Sequence, residues 1–215
     1  MERHRLLWLW LRDQELLSRP GLRVLHIAPE KVLQDLLRAV PGVRYTGGDL
    51  ESRLADVHFD VTAIPFDDAS YDLVLCNHVL EHVPDDEQAM RELARVLDPG
   101  GKAILMCPIA RDRATTYEDS AVQTPEQRLE RFGQEDHARL YGADYEERLR
   151  RSGFALERID LLASLEPATI ARHGLRQDHP LFEDDVIYVG STTSSRSQGN
   201  PSSASTGIAP SSTSR

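Results

Sequence analysis

The chain has 215 residues, enough to bury one core without staples, and its 40% apolar and 28% charged residues are the mix of a globular domain. A formal charge of −10 argues against a binder of the nucleic-acid backbone, which normally shows a basic face. The two cysteines, Cys76 and Cys107, sit apart in apolar runs, so neither a disulfide framework nor a Cys-rich zinc site is expected; no apolar run approaches the roughly 18 residues that span a bilayer.

The chain opens on a basic stretch, Met1-Glu2-Arg3-His4-Arg5, then Leu6-Leu7-Trp8-Leu9-Trp10-Leu11, with Arg12-Asp13-Gln14-Glu15 directly behind. It lacks a small-residue cleavage site, so residues 1–20 read as an amphipathic helix rather than a signal peptide, and a cytoplasmic protein is expected. A strand run, Leu22 to Ile27, is followed by helical spacing from Glu30 to Val40, stopped by Pro41-Gly42. Val43 to Gly47 reads as a second strand and Val57 to Asp60 as a weak third. Tyr71 to Cys76 is a strong fourth. Asp85 to Leu97 is a helix, and Asp98-Pro99-Gly100-Gly101 a stop and turn. Lys102 to Cys107 reads as a fifth strand closed by Pro108, Tyr141 to Ser152 as a helix with Gly153 at C′, and Phe154 to Ile159 and Val186 to Val189 as two more strands.

Strand–helix alternation at this spacing predicts an α/β fold, doubly wound, with a mostly parallel seven-stranded sheet and helices on both faces. Ligands of such sheets bind at the carboxyl ends of the strands. The predicted domain spans residues 21–190. Its 110–140 stretch is too long for an ordinary loop and, dense in His, Asp, Arg and Tyr, reads as a substrate-recognition or lid insertion; a solvated charged helix around Pro125 to Arg131 is the plainer reading of its middle. Residues 191–215 are mostly Ser and Thr with Gly, Pro and Asn, which predicts a disordered tail.

One stretch is more specific than this pattern. Asp60-Val61-Thr62-Ala63-Ile64-Pro65-Phe66-Asp67-Asp68-Ala69-Ser70-Tyr71-Asp72-Leu73-Val74-Leu75, continuing through Asn77-His78-Val79-Leu80-Glu81-His82-Val83 to Glu92-Leu93-Ala94-Arg95-Val96-Leu97-Asp98-Pro99-Gly100-Gly101, resembles the class I S-adenosylmethionine-dependent methyltransferases, in particular their small-molecule "type 11" branch. The resemblance implies a Rossmann-like methyltransferase fold, S-adenosyl-L-methionine as cofactor, and methyl transfer to an O, N or C nucleophile of a small molecule or polymer precursor. No nucleic-acid or membrane partner is expected. The start, Glu2-Arg3-His4-Arg5-Leu6-Leu7-Trp8, also resembles this branch, whose members can carry a Cys-rich module just upstream.

The family's cofactor positions fall on His26, Ala28, Glu30, Asp49, Asp60, Val61, Asn77 and His78. The first loop, His26-Ile27-Ala28-Pro29-Glu30, departs from the family: it has no glycine, His26 replaces the usual acid, and Pro29 donates no N–H. It resembles a less common branch with an HIAPE-like loop. Glu30 either grips the cofactor's ammonium or merely opens the following helix. Asp49 stands where the family places the ribose acceptor, with a turn cap over Leu50-Glu51-Ser52 as the alternative. Asp60 and Val61 stand where the adenine is met, with an Asx turn as the alternative. Asn77 and His78 fall where related pockets surround the sulfonium, or form an ordinary loop pair.

His78-Val79-Leu80-Glu81-His82 also spells H-x-x-E-H, an inverted zinc-protease signature. The helix after it offers no clear third ligand, and no metal is expected. His137 or His82 is the expected general base if the acceptor is a hydroxyl. The glycine-free loop keeps one reading of another class open: a non-catalytic methyltransferase-fold binding or scaffold module.

Overall fold

The computed structural model describes residues 2–175, 181–183 and 186–192. In chain order the elements are α1 (Glu2–Arg12), a 3-10 turn (Glu15–Ser18), β1 (Arg23–Ile27), α2 (Lys31–Arg38), β2 (Arg44–Asp49), β3 (Val57–His58) and β4 (Tyr71–Cys76). A second 3-10 turn (Leu80–His82) leads to α3 (Asp86–Val96), β5 (Leu97–Ile104), β6 (Ile109–Ala110), β7 (Tyr117–Glu118), α4 (Pro125–Phe132) and β8 (Arg139–Leu140). The chain ends through α5 (Tyr145–Arg151), β9 (Ala155–Ile159), α6 (Leu161–Ser164), α7 (Pro167–His173), β10 (Phe182–Glu183) and β11 (Ile187–Ser191).

Seven strands form one sheet in the order β3-β2-β1-β4-β5-β11-β9. β1 through β5 pair in parallel, and β11 runs antiparallel to both β5 and β9. The apolar runs explain the order. All six residues of β4 are buried, as a central strand covered on both faces requires. Two apolar layers flank it. One gathers Met90 and Leu93 of α3 with Tyr145 and Leu149 of α5; the other gathers Leu7, Trp10 and Leu11 of α1 with Leu33 and Leu37 of α2. The amphipathic helix expected over residues 1–20 is α1, ending at Arg12 before the 3-10 turn, and its apolar face is part of the core. Asp72 is the one charge inside β4, and Arg23 of β1 meets it at 2.8–3.0 Å through its backbone N, Nε and Nη2. That hydrogen bonding holds the Asp72 carboxyl below its ordinary range despite burial.

Several boundaries differ from the sequence reading. The turn expected at Asp98–Gly101 lies within β5, where the pairing jumps from Tyr71↔Leu97 to Leu73↔Lys102, so those residues form a bulge at positive-φ Gly100. The strand read to Cys107 ends at Ile104. The helix read from Tyr141 starts at Tyr145, because Tyr141 bridges to Ile109 as extended chain instead. Ser191, read as the first tail residue, closes β11 opposite Ala155; the rest of the expected tail, from residue 193, lies outside the described residues. α6 and α7 were not foreseen.

The 110–140 stretch is structured. β7 and β8 pair as an antiparallel ribbon around α4, whose Thr124 and Gln127 form a reciprocal capping box. Arg139, 2% exposed, fixes this insertion to the sheet edge. Its guanidinium donates to the carbonyls of Leu80 and Val83 and, at 2.8 Å, of Pro84. Tyr141 Oη donates to Asp86 Oδ2 at 2.6 Å, and Arg148 closes on the same carboxylate at 2.7 Å. Among the described residues no helix is long and apolar enough to cross a membrane.

Candidate functional site

The strand order reverses between β1 and β4, where Ile27 pairs with Cys76, so the loops after these strands flank the crevice that such sheets use for ligands. Two cavities open along this edge.

The first, about 340 Å³, is lined by Ala28, Asp49, Leu50, Phe59, Asp60 and Val61, with Val79 and Asp85 closing its far side. Asp49 ends β2 and half-serves the turn behind it: Oδ1 accepts from Glu51 N at 2.8 Å and Ser52 N at 2.7 Å. Asp60 is similar, its Oδ1 accepting from Thr62 N and Oγ1 at 2.8 Å each. Among the described residues no hydrogen bond reaches Oδ2 of either carboxylate. The turn readings of both residues are present, and each leaves one acceptor over. Gly48 lets the Phe59 ring lie against β2 as a wall of the cavity: a Cβ there would stand 2.3 Å from that ring and push it aside.

The first loop turns at Ala28, which holds φ +49 and donates its N–H to Gly48 O at 2.8 Å. A left-handed turn is thus kept at a non-glycine residue, the physical content of the missing glycines. Glu30 precedes α2 but its side chain makes no capping hydrogen bond, so the helix-opening role does not describe its carboxylate. It faces inward: His4 Nε2 of α1 lies 2.6 Å from Oε1, His26 Nε2 lies 3.7 Å from Oε2, and Arg3 Nε is 3.7 Å from Oε1. Burial pushes this carboxyl up, and its contacts with His26 and His4 outweigh that and lower it to about 2. His26 itself is fully buried on β1, its Nδ1 2.9 Å from Tyr45 Oη, and lines neither cavity.

The second cavity, about 280 Å³, is lined by Arg3 of α1, His78 and Pro108, and Phe132, Gln134 and His137 of the insertion. His78 holds φ +53 and turns its Nδ1 to within 3.4 Å of Glu81 Oε1. Asn77, 5% exposed, has both amide atoms without a hydrogen-bond partner, as do His26 Nε2, Glu30 Oε2, His78 Nε2 and Glu81 Oε2. Such a density of buried unpaired polar atoms is what a polar ligand satisfies. His82 and His137 meet edge to face, ring centroids 4.7 Å apart. Burial, then the neighbouring His82, push the His137 imidazole down. Cys76 and Cys107 are both buried, and burial raises both thiols well above their ordinary range, which removes them as nucleophiles.

Ala28, Asp49, Asp60 and Val61 therefore share the first cavity; His78 and His137 share the second; half-buried Glu30 and buried Asn77 carry buried unpaired atoms. Sequence reasoning missed His4 and Arg3. Their only signal was a polar start on an otherwise apolar helix.

This sheet order, with its crevice at the β1/β4 edge, defines a class I methyltransferase-type fold. Residues 16–105 match the family described as "Methyltransferase domain". The chain is 31% identical over 109 residues to ajmaline N-methyltransferase of Rauvolfia serpentina, covering 51% of this chain and 35% of that one. It is 41% identical over 64 residues to demethylmenaquinone methyltransferase of Clavibacter sepedonicus, 30% of this chain and 25% of that one. The matches thus span about a third and a quarter of those relatives' own length. An S-adenosylmethionine-dependent methyltransferase from Mesorhizobium loti superposes with a TM-score of 0.59 at 20% identity, over 86% of this chain and 97% of that one. Residues 16–105 thus carry the likeness to a methyltransferase domain, and the solved neighbour shares the fold.

Proposed function

We propose that the chain is a methyltransferase that uses S-adenosyl-L-methionine to methylate an O, N or C nucleophile of a small molecule or polymer precursor. The observation that carries this is the first cavity. Asp49 and Asp60 each bring one unengaged carboxylate oxygen to it, beside the apolar walls of Val61 and Phe59. Two acceptors flanking an apolar slot suit a ribose and an adenine amino group. Ala28 lines the same cavity at the first turn. At the methionine end, Glu30 Oε2 and the Asn77 amide are the buried unpaired groups available to an ammonium and a carboxylate. His26 acts behind Glu30 rather than on the ligand.

The cofactor supplies an electrophilic methyl group on a sulfonium. The protein's work is to orient the acceptor in line with it and to exclude water. The cavity between α1, the turn after β4 and the insertion supports the acceptor side of this reading, with His78 and His137 at its wall and His82 packed against His137. On this reading residues 21–190 are the catalytic domain, and the 110–140 insertion recognises substrate.

Isothermal titration with S-adenosylhomocysteine tests the reading. Micromolar binding is expected. No binding up to millimolar ligand would leave a scaffold module in its place.

A further inference from the structure

We propose that Glu81, His82 and His137 form a site for one divalent transition-metal ion of the zinc class. The three residues each offer one ligand atom, and these atoms lie within 4.8 Å of one another. A tetrahedral zinc site holds its N and O ligands about 2.0–2.2 Å from the ion, hence roughly 3.4 Å apart. His82 is the ligand with most room to adjust, its side chain being 31% exposed.

The surroundings of the three ligands carry the argument further. A metal-binding imidazole usually donates its other ring N–H to a carboxylate or a backbone carbonyl, which fixes the tautomer and aims the ligating nitrogen. His82 Nδ1 lies 3.2 Å from Asp136 Oδ2, and His137 Nδ1 lies 3.3 Å from Phe132 O. Among the described residues no hydrogen bond reaches the Nε2 atom of either ring. Glu81 shows the same division: Oε1 faces His78 Nδ1 at 3.4 Å, and Oε2 is buried without a partner. A carboxylate 2% exposed with one oxygen unsatisfied is costly unless something cationic meets it.

The backbone under the ligands is fixed. Ala138 N donates to Glu81 O at 2.7 Å, joining the turn that carries Glu81 and His82 to the segment that carries His137. Arg139 holds the same turn through the carbonyls of Leu80 and Val83. The H-x-x-E-H spacing alone pointed elsewhere, to His78 and His82 on one helix. Here Leu80–His82 is a 3-10 turn, His78 pairs with Glu81, and the third ligand comes from the insertion.

Two imidazoles and one carboxylate favour Zn2+, Co2+ or Fe2+ over Mg2+ or Ca2+, which prefer all-oxygen sets. Three protein ligands leave a coordination position open. Because His137 also lines the second cavity, that position is available to an oxygen or nitrogen donor of a small molecule. Metal ligation engages the very nitrogens a general base would use, so the two roles of His82 and His137 exclude each other. The proposal does not rest on methyl transfer, and its test needs no S-adenosyl compound.

The experiment titrates the full chain, stripped with chelator, with Co2+ and then Zn2+. One equivalent of Co2+ bound at micromolar concentration is expected, with visible d–d absorption, displaced by Zn2+. His82→Ala and Glu81→Gln should each weaken binding at least tenfold. His82→Ala, at the most exposed ligand, should leave metal-free melting unchanged, which separates lost ligation from lost folding. A dissociation constant above about 1 mM, or binding that survives both substitutions unchanged, would overturn the proposal.

Discussion

The two halves of the crevice are built differently. The wall holding Asp49, Asp60 and Val61 is local: each acid caps its own turn within three residues and spares one oxygen. The other side, where Arg3, His78 and His137 line the second cavity and Glu30, Asn77 and Glu81 carry buried unpaired atoms, is assembled from α1, the loops after β1 and β4, and the insertion. The difference teaches that the first wall stands before any ligand arrives, whereas the second depends on elements docked from afar. Substitutions at four positions break or sharpen that contrast.

The largest effect is expected from undocking the insertion. Arg139→Met takes the guanidinium donor away from the carbonyls of Leu80, Val83 and Pro84, and the ion pairs with Asp86 and Glu118, at 3.6 and 3.4 Å, are lost. Removing one partner of such a buried network costs about 3–5 kcal/mol. Denaturant unfolding should show that loss. If the two walls are independent, S-adenosylhomocysteine binding at temperatures where the variant stays folded should fall far less than stability does. A loss below about 1 kcal/mol would show that the insertion is not held by this residue.

Next comes acid. The Glu30 carboxyl titrates near 2 in the folded protein against an ordinary value of 4.5. A depressed carboxyl stabilises the fold above its unfolded value, and that stability disappears as pH falls through the folded one. Stability should therefore decline between pH about 4.5 and 2, with Glu30 contributing roughly 3 kcal/mol. Glu30→Gln should flatten that part of the profile. The same substitution should weaken S-adenosylhomocysteine about tenfold, since it removes a charge from a partly desolvated site. A wild-type profile matching the variant's would mean the His4–Glu30–His26 cluster carries no net stability.

How much of this was legible follows the same division. The seven strands and the Asp49 and Asp60 positions could be read because strand runs, turn acids and the Asp60–Gly101 stretch are local signals. Glu30's true partners could not be read: His4 is 26 residues away on another element, and no spacing rule joins them. The same holds for His137 beside Glu81, and for Tyr141, whose side chain turns to Asp86 and whose backbone pairs with Ile109 instead of starting a helix. Tertiary pairing overrode a helical pattern there. The turn reading at Asp98–Gly101 missed a bulge for a related reason: Gly100 looks the same in a turn or a bulge until the neighbouring strand is known.

On the local wall, Asp49→Asn and Asp49→Ala separate two jobs of one carboxylate. Asn keeps an acceptor for Glu51 N and Ser52 N, while Ala removes it. Ala should therefore lower stability by about 1 kcal/mol, the usual cost of a lost cap, and Asn by much less. Both should weaken S-adenosylhomocysteine, Ala by about 1.5–3 kcal/mol, because both lose the charged acceptor for the ribose. Melting of the free protein and titration of the same samples read the two effects. Unchanged affinity in both would reduce Asp49 to its turn.

The smallest effect is expected at Ala28, where the two walls meet. An L-residue in the left-handed region costs about 1–2 kcal/mol, and Ala28 at φ +49 bears that cost. Ala28→Gly removes it but gives the unfolded chain back roughly 0.4–1 kcal/mol of conformational freedom. The difference should favour the variant by about 0.5 kcal/mol, a rise in melting temperature of about 1–2 °C for a chain of this size. The turn itself should not move, because the Ala28 N–H to Gly48 O bond is kept and glycine accepts the same φ. S-adenosylhomocysteine affinity should then stay within about threefold, as the added glycine brings no new backbone donor to the loop. A fall in melting temperature would mean that the Ala28 methyl packs more favourably than its backbone is strained. A large gain in affinity would mean instead that the methyl obstructs the ligand, and that the loop without glycine trades binding for rigidity.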